Sequence, residues 1–242
     1  MANPTLNDKT IREFDRMHSE DSMTIRGAAN KTLILLGLLV ITGYWSWTQA
    51  MVNPGFTNVG WGLLILGTGV AFATAFKPTW SPITAPAYAL IEGLILGTFS
   101  AYFERTYPGI VLQAVSITLS ILLSMLILYQ LGLLRATPTF KKMIFAATLG
   151  IGLLYLTSMV MGFFGTSIPF IHESSTAGIA FSLVVVVIAS MNFILDFDMV
   201  ERMADIGAPK WAEWYCGFAL MVTLVWVYLE ILRLLAKLRD RR

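Results

Sequence analysis

Four carboxylates stand inside or at the ends of long apolar runs, where a charge is costly unless it faces protein or a water-filled path. Asp196 and Asp198 close the uncharged run from Ile179 to Leu195, Glu230 sits in W-V-Y-L-E-I-L-R, and Glu92 sits in A-Y-A-L-I-E-G-L-I-L-G. Two residues apart on a helix, Asp196 and Asp198 point about 200° away from each other, so one cavity takes only one of them. Asn192 lies four residues before Asp196 and shares its face, which favours Asp196 as the inward acid. Asp198 and Arg202 are also four apart, so Asp198 reads equally as a solvated helix-end residue paired with Arg202. Glu230 and Arg233, three apart, neutralise each other on one helix face, or Arg233 snorkels to the interface and leaves Glu230 turned toward the sixth apolar segment.

Two carboxylates held close can share a proton near neutral pH and, once deprotonated, bind a divalent cation. Oxygen ligands suit Ca²⁺ rather than a soft metal, and carbonyls or waters would have to complete a weak site on Asp196, Asp198 and Glu230. Arg202 and Arg233 are the candidate counter-ions. Glu92 and Asn192 are additional buried polar candidates, Glu92 reading more simply as a carboxyl hydrogen-bonded across a helix interface beside Gly93 and Gly97.

These residues need membrane-spanning helices to hold them. The sequence is 56% hydrophobic and 13% charged, against about 25% charged in soluble proteins. Seven apolar segments are each near the length that spans a hydrocarbon core of about 30 Å. They run from about Thr32 to Met51, Thr57 to Phe76, Ala85 to Phe103, Ile110 to Leu134, Met143 to Phe164, Ser175 to the Asp196–Asp198 pair, and Trp211 to Ala236. The expected fold is an all-α integral membrane protein, seven transmembrane helices in a single bundle. Gly60, Gly62, Gly67 and Gly69 in the second segment, and Gly93 with Gly97 in the third, predict close helix packing. Asn53-Pro54-Gly55 and Tyr107-Pro108-Gly109 read as turns, and Gly207 with Pro209 as a helix break.

Residues 1–31 form a polar tail of mixed charge, 32–236 the membrane domain and 237–242 a basic C-terminal tail. Ile11, Phe14 and Met17 recur at helical spacing within the first tail, but a solvated tail is the expectation. No apolar core precedes Thr32, so the first segment is expected to act as an uncleaved signal anchor. With seven spans and a cytoplasmic N-terminus, eleven basic residues fall on the inner side and six on the outer. The basic stretch at 233–242 fits an inward end better, which keeps a six-span or re-entrant arrangement open.

A net charge of +2 argues against nucleic-acid binding. The single Cys216 excludes an intrachain disulfide framework, and His18 and His172 are too far apart to suggest zinc. No H-E-x-x-H, G-x-S-x-G or P-loop is present, so enzymatic activity is not expected.

F-I-L-D-F-D at the end of the sixth segment and V-Y-L-E-I-L-R-L-L in the seventh resemble the Bax inhibitor-1-like family of seven-span membrane proteins. The resemblance implies a pH-sensitive calcium leak in which acids of the last two spans form a proton- and Ca²⁺-responsive pair. It would place that pair on Asp196 or Asp198 and on Glu230, with Glu230 standing where the family usually has Asp. Ca²⁺ and H⁺ would be permeant or regulatory ions, with no tightly bound cofactor, in a multi-pass protein of a bacterial inner membrane. A second reading is a membrane-embedded regulator that binds another membrane protein such as a membrane protease. A proton-coupled transporter finds no support in paired inverted halves.

Overall fold

The structure is a computed structural model that describes residues 22–165 and 173–241. The short helix expected around Ile11 to Met17, and both histidines, lie outside the described residues. The described chain forms seven α-helices: α1 Ile25–Val52, α2 Thr57–Phe76, α3 Ser81–Thr106, α4 Ile110–Gln130, α5 Pro138–Phe163, α6 Thr176–Asp205 and α7 Ala212–Asp240. Six are long and apolar enough to cross a membrane, and α2 is shorter.

Local chemistry sets the helix ends. Thr24, Thr137 and Ser175 cap α1, α5 and α6 by accepting from the backbone N–H groups of Gly27, Phe140 and Gly178, satisfying donors that no earlier turn can reach. Gly207 ends α6 at φ +65°, a left-handed conformation that a side chain would strain.

The helices alternate in direction. At one end, Ser22 bridges Pro209, Thr24 meets Glu213, and the Ser81 hydroxyl donates to the Trp211 carbonyl at 3.0 Å. At the other, Arg105 reaches the Ala50 carbonyl, and Asp240 accepts from Tyr107 and from Ser174. Ile25 and Asp240 therefore lie at opposite ends of the bundle, as seven traversals require. One of the basic residues that suggested an even number of spans is used inside the fold: Lys237 is buried and donates to the Gly178 carbonyl at 3.1 Å and the Ser182 hydroxyl at 2.8 Å.

Several helix ends differ from the sequence expectation, and three of them have a clear local reason. Helix α1 begins at Ile25 rather than Thr32, because its polar first turn is held by Glu213. Helix α6 continues to Asp205, its last turns burying Val200 against Met23, Ala208 and Ala212. Helix α4 stops at Gln130 because Gly132, at φ +69°, lets the amides of Leu133 and Leu134 turn back to the Leu128 carbonyl.

Helix α3 lies directly on α1. A Cβ at Gly93 would overlap the Thr42 side chain and the Leu39 carbonyl, and one at Gly97 would overlap the Gly43 carbonyl. The small pair of α3 does what its spacing predicts. The glycines of α2 mostly do not: Gly62 and Gly69 have nothing within 4 Å, whereas a Cβ at Gly67 would lie 3.2 and 3.3 Å from the side chains of Ile91 and Ile95. Small residues are legible in sequence, but the face they occupy is set by tertiary packing. The main core gathers Leu35, Leu39, Phe193, Met221 and Leu232 between α1, α3, α6 and α7.

Candidate functional site

Asp196 and Glu92 share a cleft of about 500 Å³ walled by α2, α3, α6 and α7. Thr68, Tyr88 and Thr223 are its other polar lining residues, Phe218 and Phe72 add apolar wall, and no lysine or arginine lines it. Tyr88, one helical turn before Glu92, interacts with its carboxylate. Gly67 brings the α2 backbone alongside, so that a Cβ there would lie 3.9 Å from Glu92 Oε2. Asp196 interacts with the Thr223 hydroxyl of α7, while its Oδ2 is buried without a hydrogen-bond partner. An unpaired buried carboxylate oxygen is costly. The fold spends stability here, which marks the cleft as the candidate site.

Asp198 points elsewhere. It is paired with Lys141 of α5 and accepts from Arg202 Nε at 2.9 Å. Arg202 was readable at i+4. Lys141, separated by 57 residues, was not.

Glu230 is 1% exposed and fully engaged. The Tyr155 hydroxyl of α5 lies 2.9 and 3.0 Å from its two oxygens, Trp226 Nε1 donates at 3.3 Å, and an Arg233 guanidinium nitrogen donates at 2.9 Å. The guanidinium also lies 5.3 Å from the centre of the Tyr155 ring.

The expected pair of Asp196 or Asp198 with Glu230 is not formed. Helices α6 and α7 run antiparallel with Asp196 level with Thr223, and Lys237 level with Gly178 and Ser182. Glu230 lies seven residues beyond Thr223, about 10 Å further along the axis. Among the described residues no three His, Cys, Asp or Glu side chains come together as a metal site, so the proposed Ca²⁺ set of Asp196, Asp198 and Glu230 is dispersed. Asn192 also parts from Asp196. Its amide donates to the Thr148 hydroxyl of α5 at 3.1 Å and to the Ile188 carbonyl at 2.9 Å, and it does not line the cleft.

Sequence reasoning missed Glu213, a buried acid at the start of α7. It accepts from the Thr24 amide at 3.1 Å and the Thr24 hydroxyl at 3.3 Å, and pairs with Lys210 at 2.9 Å. Its only local signal was Lys210 three residues earlier. Tyr88, four residues before Glu92, was readable as a same-face neighbour by spacing, whereas Tyr155 carried no signal.

A family model described as Bax inhibitor 1 like matches residues 3–240. No curated protein and no solved structure matches the chain. With nearly the whole length matched and six helices long and apolar enough to cross a bilayer, the chain is a multi-pass membrane protein that belongs to the Bax inhibitor 1-like family.

Proposed function

We propose that the protein is a pH-sensitive leak for Ca²⁺ or a similar cation, with Asp196 and Glu92 as its acid pair. The observation that carries this reading is a cleft lined by two acidic and three hydroxyl-bearing residues with no basic residue among them. Hard oxygen donors of this kind suit Ca²⁺, and waters would supply the remaining ligands. With both acids ionised the cleft attracts a cation. Protonating either acid removes a ligand and lowers that attraction, so the passage of ions falls as the carboxylates fill with protons. The interaction of Asp196 with Thr223 ties its protonation to the seat of α6 on α7. The residues do the work without an enzymatic step or a tightly held cofactor. The setting we propose is a bacterial inner membrane with the N-terminus in the cytoplasm.

Ca²⁺ flux into proteoliposomes across a pH series tests the reading. Asp196→Asn and Glu92→Gln are each expected to remove most of the flux and flatten its pH dependence, while Glu230→Gln leaves the pH dependence in place. Flux unchanged in both cleft variants would sink the proposal. A wild-type chain that carries no flux would favour the other reading, a regulator that docks on another membrane protein.

A further inference from the structure

A second hollow, separate from the acid cleft, opens between α5 and α6 near the end that holds the α6–α7 turn. Its volume is about 570 Å³. One half of the lining is charged, with Lys141, Lys142 and Arg202 around Asp198, and the other half is apolar, with Phe145 and Leu195 along the wall. Three cations face one carboxylate. Asp198 occupies Lys141 and the Arg202 Nε, which leaves the outer nitrogens of a 64% exposed Arg202 side chain available. Lys142 is exposed and makes no ion pair among the described residues.

Depth and packing narrow the occupant. Lys141 lies three residues into α5 and Arg202 three before the end of α6, about 5 Å from the helix ends, where headgroups meet a membrane helix. Extensive helix contacts of α5 are made with α6 alone, so the hollow faces the bilayer, and Phe145 is 67% exposed beside it. A soluble anion would use the cations and leave the apolar wall bare. A zwitterionic lipid would cover the wall but carry no net charge to match the excess of cations.

We infer that this hollow binds an anionic phospholipid, its phosphate held by Lys142 and Arg202 and an acyl chain lying along Phe145 and Leu195. Basic pockets between membrane helices at the headgroup level recognise such lipids by charge.

Native mass spectrometry of the full chain in detergent tests this, with equal amounts of phosphatidylglycerol and phosphatidylcholine of matched acyl chains. The expected result is a preference for phosphatidylglycerol on the order of tenfold. The preference should fall toward parity in Lys142→Ala and further in Lys142→Ala with Arg202→Gln. Lys77→Ala, which removes a cation that stacks 4.4 Å over the Trp80 ring away from the hollow, should leave it intact. Because Lys142 is exposed and makes no ion pair among the described residues, its variant tests the idea even where the double variant folds poorly. Equal retention of the two lipids by the wild type, or an unchanged preference in Lys142→Ala, would overturn the inference. Release of phosphatidylglycerol by millimolar inorganic phosphate would assign the site to a free anion and overturn it as well.

Discussion

The cleft around Asp196 and the pocket around Glu230 contain the same kind of group in the same kind of surroundings, and the fold treats them in opposite ways. Glu230 is given a phenol, an indole N–H and a guanidinium, so both of its oxygens lie within reach of a donor. Asp196 is left with a buried oxygen that nothing donates to, and the other charged residue lining its cleft is an acid, Glu92, rather than a base. Burial alone therefore does not mark a working carboxylate. The provision of donors and opposite charge separates an acid that holds the bundle together from one free to take a proton or a cation.

The comparison can be broken most directly at the cleft. Asp196→Asn and Glu92→Gln should remove most of the cation flux yet leave thermal stability equal or higher, since each deletes an uncompensated charge. A large drop in Tm for either would place the cleft with the structural site instead. At the other site the outcome reverses. Glu230→Ala is expected to cost about 3 kcal/mol in denaturation, because Arg233 and Tyr155 lose their shared acceptor. Glu230→Gln combined with Arg233→Gln should recover much of that loss, and no recovery would mean that the ion pair is not what matters there.

Packing gives a sharper contrast. Gly93→Ala drives a methyl into Thr42 and the Leu39 carbonyl next to Glu92, and is expected to cost about 1–3 kcal/mol and to disturb the cleft while sparing Glu230. Gly62→Ala, with open space around it, should stay within about 0.5 kcal/mol of wild type. The smallest effect is expected at Tyr107, an exposed counterpart of the Tyr155–Glu230 contact. Its hydrogen bond to Asp240, then burial, pushes the phenol up to about 12, from about 10 in an unfolded chain. A raised pKa contributes stability below pH 10 that is lost as pH rises through about 12. Tyr107→Phe should therefore lower the melting temperature slightly and by the same amount at pH 7 and pH 9.

Sequence alone carried the bundle because a membrane helix announces itself by length and the absence of charge, and the seven segments needed only their ends adjusted. It also carried the contacts made within a helix, Asp198 with Arg202 and Glu230 with Arg233, since three- and four-residue spacings have fixed directions. What it could not carry is which helices meet. Glu92 and Asp196 lie on helices far apart in the chain, and each reads as a buried acid without the other. Helices α6 and α7 do pack together, but the depth of Glu230 depends on where the α6–α7 turn begins. Two turns of offset separate it from Asp196. Spacing puts Asn192 and Asp196 on one face, yet a 40° difference in direction and the reach of their side chains send one to α5 and the other to α7.

The attachment of Thr24 to Glu213 spans 189 residues of sequence and bears on the order in which the bundle is built. Helix α1 is synthesised first and would enter the membrane early, but the acid that completes its capped end belongs to the last helix. A Cβ at Gly27 would overlap that carboxylate, so the first turn of α1 is shaped for a partner that does not yet exist when it emerges. Until α7 arrives, the Thr24 amide and hydroxyl at the start of α1 lack their final acceptor. Assembly closes with the last helix locking the first, and chains released before Glu213 should be the ones that quality-control proteases find open.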